Sequence, residues 1–216
     1  MSDDAALQEV LDWYLRRDGG NPGAATTLVR RSSYGALLKE SRSTGGRNPE
    51  TGVRENPRQS ASWLAALGYC CLIDQVGKAV RRKDYAGESY GFGACLEQFS
   101  DLDVPDREAL FGLRNAFVHS YGLISRGKQG RPNFVFALDV DGVLVRQAVS
   151  RWDGSSRPTH ENTTTVGLAA LGDLVEAVHS KLLDHFVRGE LTSQFASDDF
   201  SDRYLFEYLN LGDHTA

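Results

Sequence analysis

Residues 133–150 read NFVFALDVDGVLVRQAVS, from Asn133 to Ser150. β-branched and aromatic residues flank Asp141-Gly142 on both sides, and an Asp-Gly pair suits a two-residue type I′ turn. The stretch therefore predicts a β-hairpin, with Asn133 to Val140 as one arm and Val143 to Ser150 as the other. The sequence on both sides reads as helix. If the two arms pair with each other, the hairpin is an insertion in an otherwise all-α protein.

On the N-terminal side, Leu7, Val10, Leu11 and Tyr14 recur at spacings of three and four, which predicts an amphipathic helix over 4–17. Asp18-Gly19-Gly20-Asn21-Pro22 stops it. A second helix is expected over 23–41, with Leu28, Leu37 and Leu38 inward. Residues 43–58, rich in Gly, Pro, Asn and Arg, are expected to be a loop. Ser60 or Ser62 caps a helix running to about 83, whose Leu64, Leu67, Cys71, Val76 and Val80 are the strongest core candidates. Gly91 to Ser100 reads as a short helix. Asp103 and Pro105 open another that ends near Gly122, with Leu110, Leu113 and Phe117 facing the core.

Beyond the hairpin, Gly154 to Thr159 reads as a loop. Thr163, Thr164 or Thr165 is expected to begin a long helix through about Gly189, with Leu168, Leu171, Val175, Val178, Leu182 and Phe186 on one side. The tail, with Phe200, Tyr204, Phe206 and Tyr208, is a short helix or a docked strip. The expected architecture is an all-α bundle of about five helices with a hairpin inserted at about 133–150. It forms one domain over 1–216: N-terminal helices and a basic loop in 1–58, the bundle core in 59–190, and a C-terminal tail in 191–216.

The chain has 216 residues and a formal net charge of -5. That balance argues against a general nucleic-acid coat and leaves room for a local basic pocket. Cys70, Cys71 and Cys95 have no zinc-like spacing, and an odd count argues against a secreted disulfide framework. Reduced thiols and a cytoplasmic location are expected. Met1-Ser2-Asp3-Asp4 is acidic and no apolar segment follows, so no signal peptide is expected, and no run approaches a membrane span.

The chemistry lies in Leu113-Arg114-Asn115-Ala116-Phe117-Val118-His119-Ser120-Tyr121-Gly122. An arginine grips phosphate oxygens with a fixed fork, and a histidine moves protons near neutrality. Together they suit RNA cleavage by the substrate's own 2′-hydroxyl, without metal or cofactor. Arg114 and His119 stand five residues apart, about 140° around a helix and roughly 7.5 Å along it. Asn115 and His119, four apart, share a face, so the amide is placed to orient the imidazole. Arg114 reaches the site by swinging round or from a partner helix, and a two-fold dimer packing this helix on its own copy would converge both pairs. Asp74, acidic in an otherwise apolar helix, is a candidate partner for Arg114 or His119, with a solvated surface acid the alternative.

This segment resembles the signature of the HEPN superfamily, helical domains found in prokaryotic toxins and defence ribonucleases, whose motif is Arg, a polar residue, three more residues, then His. Arg114, Asn115 and His119 fill those places. The resemblance implies a metal-independent endoribonuclease acting on RNA as a homodimer in toxin–antitoxin or antiphage defence. Some superfamily members are silent, so the alternative is a dimerisation or nucleotide- or protein-binding module. Tyr121 extends the match to Arg-x4-His-x-Tyr, which resembles the HepT toxins. That likeness implies a nucleotidyltransferase antitoxin and adenylylation of Tyr121. The first 58 residues and the hairpin have no clear counterpart in those shorter toxins.

Two further likenesses are weighed on their residues. Asp139-Val140-Asp141-Gly142 after Phe136-Ala137-Leu138 resembles the first motif of haloacid-dehalogenase-like phosphatases, a magnesium site. That fold needs alternating strands and helices around a parallel sheet, and the hairpin turn explains the same residues. Gly46-Arg47-Asn48-Pro49-Glu50-Thr51-Gly52 resembles the arm tip of the HU histone-like family, whose body is absent. Arg42, Arg47, Arg54 and Arg58 still make this a basic loop that is a candidate to guide RNA or contact a partner, with a solvated loop the alternative.

Overall fold

A computed structural model describes residues 3–16, 28–55, 62–120, 122–128, 130–155 and 157–209. The expected stop at 18–22, the Ser60 cap, Arg58 and Tyr121 lie outside them. Helix α1 (Asp3–Arg16) follows its predicted stripe, burying Val10, Leu11 and Tyr14. The second helix is shorter than expected. Leu28–Ser32 is a strand, β1, and α2 (Ser33–Thr44) begins after it. Ser32 makes the junction: its hydroxyl accepts from Gly35 N at 3.0 Å, capping α2, and donates to Tyr14 O at 2.6 Å.

Helix α3 (Ser62–Ala79) lies between α2, α4 (Phe92–Phe99), α5 (Val104–Ser120) and α6 (Leu168–Val187). Of the residues expected inward, Val76 and, just past the helix, Val80 are buried, but the rest of the buried side differs. Ala65, Ala66, Tyr69, Cys70, Leu72, Ile73 and Val76 face the core, while Leu64 is 62% exposed and Leu67 and Cys71 are half-buried. Enclosed by four helices, α3 buries most of its circumference, so a single stripe describes it poorly. Leu110, Leu113 and Phe117 of α5 are fully buried, as their spacing predicts. Truncating Phe117 to alanine is expected to cost about 3–5 kcal/mol.

The all-α expectation is overturned. The described residues form three sheets, one of them four-stranded and mixed. Its strands are β3 (Ile124–Ser125), β4 (Phe134–Asp139), β5 (Val145–Arg146) and β6 (Thr163–Gly167), in the order β3-β4-β6-β5. The predicted hairpin does not form. β4 pairs in parallel with β6, from Val135 opposite Thr163 to Asp139 opposite Gly167, and β5 pairs antiparallel on the far side of β6.

The residues expected to open the long helix are that central strand. Thr163, Thr164 and Thr165 are β-branched and fit a pleated surface better than a first helical turn. Gly167 closes the strand and α6 starts at Leu168. There the Gly167 amide donates to Val143 O and Leu144 O at 3.0 and 3.1 Å. A Cβ at Gly167 would collide with the Gly142 and Val143 carbonyls. The Asp141-Gly142 segment therefore passes over the end of β6 instead of turning back on β4.

The sheet packs on α5, where Gly112 leaves room for the stacked rings of Phe134 and Phe136. Two short pairings complete the fold. β2 (Arg81–Arg82) joins β7 (Leu191–Thr192), and β1 joins β8 (Leu205–Leu209), the strand that follows α7 (Ser197–Tyr204). The tail thus contains both a helix and a strand, anchored by the buried Phe200. No helix among the described residues is long and apolar enough to cross a membrane.

Candidate active site

Helix α5 carries the motif. Asp103 opens it by accepting from Asp106 N at 2.9 Å, and Pro105 occupies the first turn. At the other end Gly122 N donates to Ala116 O at 3.2 Å. Burial of Leu110, Leu113 and Phe117 fixes the rotation of the helix, and that rotation turns Arg114 toward α3.

Arg114 Nη2 donates to Asp74 Oδ2 at 3.0 Å, and Arg114 Nη1 donates to Asn115 Oδ1, also at 3.0 Å. The two charged side chains are only 17% and 16% exposed. Asp74 also accepts from Lys78 Nζ at 2.6 Å and from the Phe92 amide, at the start of α4, at 3.2 Å. Burial by itself would raise the Asp74 carboxyl. The hydrogen bonds from Lys78 and Arg114 outweigh it and hold the carboxyl below its ordinary value. Half-buried Cys71 sits by this seam; burial, then the Asp74 charge, pushes its thiol up, and Arg114 opposes them.

His119 is exposed near the helix end, one turn beyond Asn115. The structure does not join it to Arg114 or Asn115. The Asn115 amide oxygen serves the guanidinium, and no described side chain hydrogen-bonds the imidazole. Within one chain the two groups stand on different sides of α5: Arg114 in the seam with α3, His119 in solvent. Two of the five guanidinium N–H groups are engaged by described side chains, and the buried Nε has no partner among the described residues. Asp74 was legible as a partner for Arg114. Lys78 is signalled only by the ordinary i,i+4 spacing of Asp74–Lys78, and nothing local signals the Phe92 amide.

The basic loop is docked. Arg42, 6% exposed, forms a two-pronged pair with Glu176 of α6, Nε to Oε1 at 2.8 Å and Nη2 to Oε2 at 2.7 Å. Its Nη1 donates to the Pro49 and Glu50 carbonyls. Buried Arg47 donates to Gly52 O at 3.0 Å, Ala169 O at 2.8 Å and Asp173 Oδ1 at 2.6 Å. Arg54 pairs with the same Asp173 carboxylate. These three arginines hold the 45–55 loop on α6.

Nearby, Tyr34 Oη and His179 Nδ1 are 2.9 Å apart, a pair separated by 145 positions that no local spacing signals. Burial, then the Arg42 charge, pushes the His179 imidazole below its usual value. Asp139 and Asp141 are exposed at the far end of β4, where Asp139 Oδ1 accepts from Asp141 N at 3.3 Å. Strand β5, in place of a helix, occupies the connection from β4 to β6, which does not fit the phosphatase pattern. Among the described residues no group of three or more His, Cys, Asp or Glu side chains is placed to hold a metal. In comparisons with known proteins, no family model, no curated protein and no solved structure matches this chain.

Proposed function

We propose that the protein is a metal-independent endoribonuclease of the HEPN type, working in a toxin–antitoxin or antiphage setting. The observation that carries the reading is the pairing, on one helix, of an anchored arginine and a free histidine. Asp74 and Asn115 fix the Arg114 guanidinium through one N–H on each terminal nitrogen and leave the second N–H of each for phosphate oxygens, while Nε is buried. His119 is open to solvent near the end of the same helix.

In the reaction His119 takes the proton of a ribose 2′-hydroxyl and O2′ bonds to the adjacent phosphorus. Arg114 stabilises the charge gathering on the phosphorane oxygens. The P–O5′ bond breaks, and the leaving oxygen takes a proton from a second histidine acting as imidazolium, which ends as neutral imidazole. The products are a 2′,3′-cyclic phosphate and a 5′-hydroxyl. A two-fold dimer supplies that second His119 and lets one copy's arginine serve the other's histidine. Leu64, 62% exposed, and Val118, 39% exposed, each directly follow one member of the Trp63–Phe117 contact between α3 and α5 and suit the dimer interface. In this reading Tyr121 is the residue a partner nucleotidyltransferase would adenylylate.

A second reading is a silent binding or dimerisation module, favoured by the Asp74 carboxylate that already neutralises Arg114. The test is cleavage of varied RNAs in EDTA by the wild type and by His119→Ala. Cyclic-phosphate products from the wild type alone support the nuclease. Equal cleavage by both rejects it, and no cleavage by either favours the module.

A further inference from the structure

The arginines of the 45–55 loop are spent on α6, but among the described residues a group of cations without ion pairs gathers on the four-stranded sheet. Over residues 124–157 the chain carries Arg126, Lys128, Arg131, Arg146, Arg151 and Arg157 against Asp139, Asp141 and Asp153. All six cations are exposed, and none forms an ion pair among the described residues. Cations in other parts of the molecule are widely paired, as in Lys78–Asp74, Lys181–Asp101 and Arg203–Asp199.

Topology gathers this charge. β3 runs antiparallel to β4, β5 runs antiparallel to β6, and β4 and β6 are parallel. The loops that leave β3 and β5 therefore arrive at the same end of the sheet, where β4 and β6 begin. They are tied together: Arg126 Nη1 donates to Gly154 O at 3.0 Å, and Asn133 Nδ2 donates to Asp153 O at 3.2 Å. Asp139 and Asp141 sit at the opposite end, and the Asp153 carboxylate accepts from Ser155 N and Oγ.

Two of the guanidinium groups rest on aromatic rings, Arg126 over Trp152 at 5.5 Å and Arg131 over Phe111 at 4.4 Å. Phe111 belongs to α5, on the stripe that continues through Arg114, Asn115 and Val118. By helical rise it stands roughly 12 Å before His119.

We propose that this end of the sheet is a single-stranded RNA-binding surface, with Arg126, Lys128, Arg131, Arg151 and Arg157 contacting backbone phosphates and delivering the strand along α5 to His119. Helix α5 brings Asp106, which accepts from Gln147 Nε2 at 2.9 Å, and Glu108 to the same end, yet among the described residues neither forms an ion pair with these cations. In an acidic protein such a cluster of arginines focuses a polyanion locally. The assignment to RNA rests on the ribonuclease reading of α5.

The test uses a fluorescent 2′-O-methyl RNA, which binds but cannot be cut by 2′-hydroxyl attack. The triple variant K128E/R151E/R157E, at exposed positions, is expected to bind it roughly tenfold or more weakly at low salt. The slope of log K against log salt should flatten by about 2 for three lost phosphate contacts. The control K83E/K181E/R203E makes the same charge change elsewhere and is expected to bind as the wild type does. Thermal melting verifies that both variants fold. Affinity of K128E/R151E/R157E within about twofold of wild type, or an equal loss in the control, overturns the proposal. So does wild-type preference for polyglutamate over RNA, which would make the surface a site for an acidic protein. RNA binding lost in the triple variant supports the surface even if the wild type cuts no RNA, an outcome that rejects the nuclease alone.

Discussion

At the level of single side chains, Arg114 and His119 have opposite surroundings, and their substitutions should separate accordingly. His119 is exposed and hydrogen-bonds no described side chain, so His119→Ala is expected to leave the melting temperature unchanged while slowing cleavage by about 10²–10⁴-fold. Melting curves beside single-turnover rates check it; a large loss of stability would give His119 a structural role instead. Asp74 is the reverse case. Asp74→Ala leaves Arg114 half-buried without its counter-charge and should cost about 3 kcal/mol in urea unfolding. The motif was legible because its spacing is local. The seam around Asp74 was only partly so, since Phe92 reaches the carboxylate from eighteen positions further along the chain.

Among the elements, α6 anchors both the sheet and the docked loop. Glu176→Ala strands the buried Arg42 guanidinium and is expected to destabilise the protein by about 3 kcal/mol, with faster amide exchange across residues 45–55. Unchanged exchange there would mean the Arg47 and Arg54 contacts suffice. Helical periodicity located α1, α5 and most of α6, because a stripe of inward residues is written within each helix. It missed β1 and β6. Thr163-Thr164-Thr165 serves equally as a helix start or as a strand, and only the distant β4 decides between them. The Asp141-Gly142 signal misled for the same reason: it is a local turn preference, outweighed by five parallel pairings to a strand more than twenty residues away. Nor does a run of arginines in a loop reveal that Asp173 and Glu176 will be brought beneath it.

For the molecule as a whole, acid should act in two stages. The His179 imidazole is depressed in the folded state, so the unfolded chain binds the proton more readily. Its contribution is present above the ordinary histidine value of 6.5 and fades as pH falls below it. Tyr34 hydrogen-bonds that ring, and the Arg42 and Glu176 charges act on it in opposite directions. Asp74 and Asp173 are depressed carboxyls, so their contributions persist to lower pH and fade below the ordinary value of 3.8. Urea unfolding across pH should show the upper stage flattened in His179→Gln and the lower stage flattened in Asp74→Asn. An unaltered profile in either variant removes that group from the account. Assembly is tested separately: L64E/V118E is expected to sediment as a monomer and to lose cleavage with its fold intact, whereas a cleaving monomer would show that one chain suffices.

The placement of β6 between β4 and β5 has a consequence for biosynthesis. A ribosome releases β4 and β5 before the strand that must lie between them, so β5 has no partner and β4 has only β3 while residues 163–167 are still in the exit tunnel. During that interval the edge of β4 that will receive β6 is bare, open to other nascent chains or to a chaperone. Closure waits for Gly167 to emerge, and the same residue starts the helix that clamps the N-terminal loop, so the late strand and the early loop are secured together.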